Sequence, residues 1–392
     1  MKKIVLAYSG GLDTSYCAAY LSNQQYEVHA VCVNTGGFDT QELAHNEKTA
    51  KQLGVKSYTT IEATEDYYQQ VIKYLIFGNV LKNNCYPLSV SSERIVQAIA
   101  IANFAKKIGA SHLAHGSTGA GNDQVRFDMI FQTLAPELTI ITPIRDLQLT
   151  RQEEIDYLKK QGIHLSWNKA QYSINKGLWG TSIGGKETLN SRDPLPEEAY
   201  TPVSYEHKKT TVTLSFENGE LSAIDQVRGN SIDNIKKLNS LALSYGIGRD
   251  IHVGDTIVGL KGRVGFEAPA AVLIIRAHHQ LEKHVLSKWQ LQHKDQLANY
   301  YGMHLHEGDY LDPVMRDLEA FLTHSQQRVT GEVYLELHPY RFTVNGISSP
   351  FDLMNSKYGI YGEMNTLWTA EEAKGFIKIN ANQHKIHQQV KQ

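Results

Sequence analysis

Up to about residue 141 the chain alternates short apolar runs with helical stripes. The runs Ile4–Tyr8, Val28–Val33, Val55–Thr59, His112–Ala114 and Leu138–Ile141 are nearly continuous in apolar residues, the pattern of strands buried on both faces of a parallel sheet. Between them Asp13–Leu21 and Gln41–Leu53 read as helices. The clearest helix is Ser92–Ile108, where Ile95, Ile99, Ala102 and Ala105 recur on one face and Gly109 follows as a stop. This alternation predicts an α/β fold with a doubly wound, mainly parallel sheet. Ligands of such sheets sit at the carboxyl ends of the strands, here the loops after Tyr8, Val33 and His115.

After about Gln161 the pattern changes. A Pro-rich stretch runs from Asp193 to Pro202, and a strand at Thr211–Phe216 meets Asn218-Gly219, a hairpin turn signal. A helix at Ile232–Tyr245 and a β-rich region at Asp250–Glu267 follow. One long helix is then expected from Ala271 to about Tyr300, with Leu273, Ile274, Ile275, Leu281, Val285 and Leu286 as its core stripe. We therefore expect a nucleotide-binding domain over 1–165, a second α+β domain over 166–365 and a C-terminal tail over 366–392. The tail, rich in Gln, His and Lys, is too polar to pack alone and is expected to dock on another subunit.

Composition narrows the classes. A chain of 392 residues suits two or three domains, and 41% hydrophobic with 20% charged residues excludes disordered and collagen-like chains. Thirty-nine basic against 41 acidic residues leave a net charge of -2, so no overall field favours nucleic acid or anionic lipid. Cys17, Cys32 and Cys85 form no CxxC or metal-finger spacing, which fits a reducing cytoplasm. No run of ~18 apolar residues marks a membrane span, and a cytoplasmic location is expected. His278, His279 and Glu282, with His304 and His306, invite a metal check. The spacing is not HExxH and no four-ligand set forms, so surface or interface histidines and no metal site are expected.

The sharpest motif is Ala7-Tyr8-Ser9-Gly10-Gly11-Leu12-Asp13-Thr14-Ser15, which ends the first strand and opens the first helix. Its glycines permit a tight turn, so that backbone N–H groups and the hydroxyls of Ser9, Thr14 and Ser15 converge on an anion at a helix N-terminus. It is neither a Walker A loop nor GxGxxG. The plain alternative is a strand-to-helix turn with Asp13 as N-cap. A second candidate is His115 to Phe127, a glycine-rich loop after a strand, followed by a helix begun by Asn122. There Asn122 and Arg126 are i, i+4 neighbours presenting an amide and a guanidinium. Arg126 can grip a carboxylate bidentately while Asp123 accepts from an ammonium, a pairing suited to an amino acid. An Asn N-cap beside an exposed Asp–Arg pair is the alternative.

Ser9 to Ser15 resembles the pyrophosphate loop of the N-type ATP pyrophosphatases. With Tyr86-Pro87-Leu88, the His115–Phe127 segment, Tyr172-Ser173-Ile174, Leu178-Trp179-Gly180 and Pro196-Glu197-Glu198-Ala199-Tyr200, the chain is similar to the argininosuccinate synthase family over most of its length. That resemblance implies an ATP-dependent ligase that joins L-citrulline to L-aspartate through a citrullyl-adenylate and releases AMP and pyrophosphate. The implied cofactors are ATP and Mg²⁺, and the implied assembly is a homotetramer. It further implies ATP contacts from Ala7, Tyr8, Ser9, Gly10, Gly11, Leu12, Asp13, Thr14, Ser15, Val33 and Gly116. Aspartate contacts are implied for Thr118, Asn122 and Asp123, and citrulline contacts for Tyr86, Ser91, Asn122, Arg126, Ser173 and Ser182. Asp13 and Asp123 are the candidates for catalysis, Asp123 by binding and orientation, with no general base assigned.

The sequence departs from the family at several places. Ala120 stands where the family commonly has lysine, and Ser89-Val90-Ser91-Ser92-Glu93-Arg94-Ile95 replaces Gly-Thr-Ser-Leu-Ala-Arg-Pro. A citrulline-contacting glutamate is expected at Val253 or Gly254 and its tyrosine partner at Phe266, with Asp255 the nearest acid. These departures motivate two alternatives: a non-catalytic adenine-nucleotide-binding regulatory protein, and a related ligase with an altered ureido substrate. The chemistry itself is constrained. A ureido oxygen leaves only after activation, so attack on the α-phosphorus of ATP must precede attack by the aspartate amine. Asp13 beside phosphates is repulsive unless it meets Mg²⁺ or caps its helix, and both readings stay open.

Overall fold

A computed structural model describes residues 1–163, 172–363 and 367–390. Both expected domain boundaries, 165/166 and 365/366, fall outside the described residues.

Strands β1 (Lys3–Ala7), β2 (Glu27–Asn34), β3 (Ser57–Glu62), β4 (His112–Ala114) and β5 (Thr139–Ile141) form one sheet in the order β3-β2-β1-β4-β5, all parallel. Alternation along each strand feeds two cores. Ile4, Leu6, Val28 and Ala30 pack against the helices Leu12–Asn23 and Arg151–Lys160, while Val5, Ala7, Val31 and Val33 pack against the helix Ser89–Lys107. Each fully buried aliphatic side chain stabilises the fold by ~1.5–3 kcal/mol, so these two faces fix the layer order. The fold is the expected doubly wound α/β sheet. Its order reverses at β1, which has β2 on one side and β4 on the other, leaving a crevice beyond the ends of β1 and β4.

Element ends differ modestly from the sequence reading. The helix at 89–107 starts three residues early, after Leu88 in a left-handed conformation (φ +58°), and ends as expected before Gly109 (φ +64°). β3 is displaced toward Glu62. The helix Thr40–Gln52 is opened by a capping box of Asp39 and Glu42.

In the second half, β6 (Ser173–Gly177), β7 (Gly180–Gly184), β8 (Thr210–Glu217), β9 (Glu220–Ile224), β10 (Val227–Arg228), β11 (Arg249–Asp255), β12 (Lys261–Glu267), β13 (Gly331–His338) and β14 (Arg341–Ser348) build two antiparallel sheets, β11-β12-β7-β6 and β10-β9-β8-β13-β14. Asn218 (φ +49°) and Gly219 (φ +84°) make the β8–β9 turn with both φ values positive. The long helix expected from Ala271 is instead two. Pro269–Val285 stops at Leu286, and Ser287 begins Lys288–Glu307 through a capping box with Gln290. The apolar stripe runs through the break because both helices face one core, which hides the local capping signal. The tail forms two short helices, Ala370–Asn380 and Asn382–Val390, without a buried residue; Phe376, Ile377, Ile379 and Ile386 are exposed.

The histidine expectation needs correcting. His278 is fully buried, bonded to Asn79 and Gln326, in a network closed by the buried Glu282–Lys294 pair at 2.7 Å. His306 is also buried. The His278 imidazole is a core hydrogen-bonding group, stable inside because polar partners meet both its ring nitrogens.

Candidate functional site

The loop after β1 is held almost entirely by its own atoms. Gly10 takes φ +80°, and a Cβ there would overlap Asn46 Oδ1. Asn46, from the helix Thr40–Gln52, donates to the Ser9 carbonyl at 3.2 Å. Thr14 Oγ1 donates to the Gly11 carbonyl (3.2 Å) and lies 3.3 Å from Ser9 Oγ. The helix begins after Gly11, the N-cap, with no side-chain cap. Asp13 is therefore not the cap; it occupies the first turn, where a carboxylate meets the positive end of the helix. Ser9 and Gly11 are exposed and Ser15 is buried. Ala7, Tyr8, Leu12 and Val33 are buried beneath the loop at the ends of β1 and β2.

The loop after β4 meets this one. Gly116 packs so closely that a Cβ would stand 3.1 Å from Asp13 C and 3.2 Å from Thr14 N. His115 anchors the loop: its Nδ1 accepts from Ser117 N–H (3.2 Å), leaving Nε2 to donate to Asp128 (2.8 Å), which also pairs with Arg145 (2.7 Å). Gln124 bonds the Gly119 and Gly121 carbonyls, and Thr118 stays exposed.

Beyond that loop Asp123 is clamped by two guanidiniums, with Arg94 Nε at 2.9 Å and Arg126 Nη1 at 2.8 Å. Burial raises its pKa, but the two cations outweigh burial and hold the carboxyl below the usual range. Arg126 is buried and also donates from Nε and Nη2 to the His306 carbonyl (2.9 and 2.8 Å). Asn122 and Arg126 do not form one open face: Asn122 Oδ1 accepts from Ile257 N–H at 2.8 Å, in the β11–β12 connection. Arg94 reaches further, to Asn175 Oδ1 (2.7 Å) on β6, and the Thr35 carbonyl after β2 accepts from Leu178 N–H. The β6–β7 hairpin is thereby fastened across the carboxyl ends of the parallel sheet. Ser182, buried on β7, lies opposite Asn175, while Ser173 at the start of β6 is exposed.

Tyr86 and Ser91 are buried at the start of the helix Ser89–Lys107. The Tyr86 ring stacks on His252 (5.0 Å) and contacts Phe266 (5.4 Å), and its hydroxyl accepts from Val90 N–H. At Gly254 a Cβ would stand 2.6 Å from His252 Nε2, so the imidazole fills the space beside that glycine. Asp255 is exposed and pairs with Lys261, pointing away from the buried ring cluster.

Two sequence profiles match the chain: the arginosuccinate synthase N-terminal HUP domain over residues 3–164 and the arginosuccinate synthase C-terminal domain over residues 172–387. The chain belongs to the argininosuccinate synthase family. Argininosuccinate synthase of Methanocaldococcus jannaschii is 38% identical over 98% of this chain and 97% of its own. The Xanthomonas campestris pv. campestris enzyme is 38% identical over 99% of both, and that of Dictyoglomus thermophilum 36% over 98% and 97%. The activity is that of an ATP-dependent ligase forming a C–N bond between citrulline and aspartate, in arginine biosynthesis. A non-catalytic nucleotide-binding role is not favoured.

Three groups at this site were not among the expected site residues: Asn46, Glu154 and Arg94, the last in line with an arginine of the family run set against Ser89–Ile95. Each acts on a partner at least 29 residues away, so no local spacing announces it.

Proposed function

We propose that the Ser9–Ser15 loop, with Gly116, cradles the phosphates of ATP, and that the ureido oxygen of citrulline attacks the α-phosphorus from the side of Tyr86, Ser91, Arg126, Ser173 and Ser182. Thr118, Asn122 and Asp123 then hold aspartate, whose amine expels AMP. The observation that supports this reading is the approach of Gly116 to Asp13 and Thr14 at the sheet's switch point, with the β6–β7 hairpin fastened across it. Backbone N–H groups and hydroxyls preorganised there stabilise charge on departing pyrophosphate, and fixed geometry replaces a bimolecular encounter with an intramolecular one.

Among the described residues no three of His, Cys, Asp and Glu converge on a cation position. Mg²⁺ arrives with the nucleotide as the substrate MgATP. Asp123, held ionised between two guanidiniums, is a weak base, so its part is orientation. The domain division near 165 and 365, a homotetramer joined through the exposed tail helices and a cytoplasmic location complete the proposal. Among the described residues no helix is long and apolar enough to cross a membrane.

The test is pyrophosphate release with MgATP, citrulline and aspartate. Release that requires citrulline, with ureido ¹⁸O recovered in AMP, is expected. Release without citrulline, or AMP free of the label, overturns the reading.

A further inference from the structure

Glu154 lies on the helix Arg151–Lys160, which packs along the helix opened by the phosphate loop. Tyr157 and Asn23 close the far end of this contact at 2.9 Å, and the Tyr157 ring lies 4.9 Å from that of Tyr16. The Glu154 side chain is 3% exposed, and its Oε2 is buried with no donor among the described residues. Its neighbour is the Asp13 carboxyl, close enough for its charge and a shared proton to act on Glu154. Two carboxylate oxygens cannot bond each other unless one carries a proton. Other titratable groups facing the pair are Tyr16 and Cys17, whose pKa values burial raises, and Arg151 on Glu154's own helix, whose attraction is the smallest influence on it. Burial first, and the Asp13 charge second, push Glu154 up to about 8, so the proton resides on Glu154 at neutral pH.

Resting on the assignment of the Ser9–Ser15 loop to ATP phosphates, we infer that Glu154 is a positioning residue for the reaction: as a neutral carboxyl it donates to Asp13 and fixes that carboxylate beneath the Gly116 loop. The pair then presents one negative charge beside the triphosphate where two ionised acids would present two. This answers the repulsion that Asp13 poses by itself. Gly116 closes over this acid from the β4 side, a Cβ there standing 3.3 Å from Asp13 Cβ.

The experiment follows pyrophosphate release by the full-length enzyme with MgATP, citrulline and aspartate, from about pH 6 to about pH 9.5. Wild type, Glu154→Gln and Glu154→Ala are compared. The wild-type kcat/KM for MgATP is expected to decline above about pH 8, as the pair loses its proton. Glutamine donates at every pH, so that variant stays within about threefold of wild type at neutral pH and its decline moves up by about one pH unit or more. Alanine loses about tenfold or more. A role in folding alone lowers the melting temperature of Glu154→Gln and leaves its pH limb in place. The inference is overturned by a wild-type profile flat through about pH 9, by a glutamine variant that keeps the wild-type decline, or by one that is folded yet as inactive as alanine. Should the alanine variant not fold, the glutamine comparison decides. A wild type that needs no citrulline for pyrophosphate release removes the ATP-ligase reading itself, whereas an active wild type with an undisplaced limb removes only the role of Glu154.

Discussion

The phosphate loop and the Asp123 clamp lie side by side but are built in opposite ways. Ser9, Gly11 and Thr14 bond one another across at most five positions, with Asn46 donating to the Ser9 carbonyl from a distant helix. Around Asp123, Arg94 reaches Asn175 across 81 residues, Asn122 reaches Ile257 across 135 and Arg126 reaches His306 across 180. A local loop keeps its shape wherever a strand feeds a helix. The outer bonds of the clamp form only when both halves of the chain are folded, so its energetics belong to the whole molecule.

The comparison breaks most sharply at Arg126. Replacing it with alanine leaves Asp123 with one cation and the His306 carbonyl without donors, and removing one member of a buried pair costs ~3–5 kcal/mol. Both the melting temperature and citrulline-dependent pyrophosphate release are expected to collapse, the latter ~100-fold or more; a variant that melts like wild type contradicts the clamp. Gly10→Ala strikes the loop instead, at ~1–3 kcal/mol for a strained left-handed residue. Its KM for ATP should rise ~5- to 100-fold while global stability changes little, since loop strain is local. An unchanged KM removes the turn from the nucleotide site. Asn46→Ala deletes one hydrogen bond, ~1 kcal/mol, and should raise the ATP KM about fivefold without altering the KM for aspartate.

The smallest effect is in pH. Glu93, buried beside Arg94, is pushed up to about 7, first by burial and against the pull of Arg94. A carboxyl raised in the folded state binds more protons folded than unfolded, so stability falls as pH rises through this window. The urea midpoint should drop between about pH 5 and about pH 8, and Glu93→Gln should flatten the drop. Asp123 works the other way: its lowered pKa supplies stability that is lost as pH falls through it. Equal pH slopes in wild type and Glu93→Gln show that the glutamate does not titrate there.

The parallel strands, the switch-point loops and the β8–β9 turn were legible because each depends on neighbours a few positions apart: apolar runs, paired glycines, Asn218-Gly219; β6–β7 and β13–β14 carried no such signal and were not expected. Asp13 as cap was the less faithful reading, because Gly11 takes that position and the acid falls in the first turn. The single helix at 271–300 misled for a related reason, since burial against one core extends the apolar stripe through Leu286 while Ser287 starts a new helix. Sequence alone determined the sheet, its glycine turn and the family, all carried by short-range pattern. Only the tertiary structure decided what Arg126 and Asp123 hold, where Glu154 rests and that His278 lies in the core. Charge pairing and desolvation depend on distances in space, and residues tens to nearly two hundred positions apart carry no mark of them along the chain.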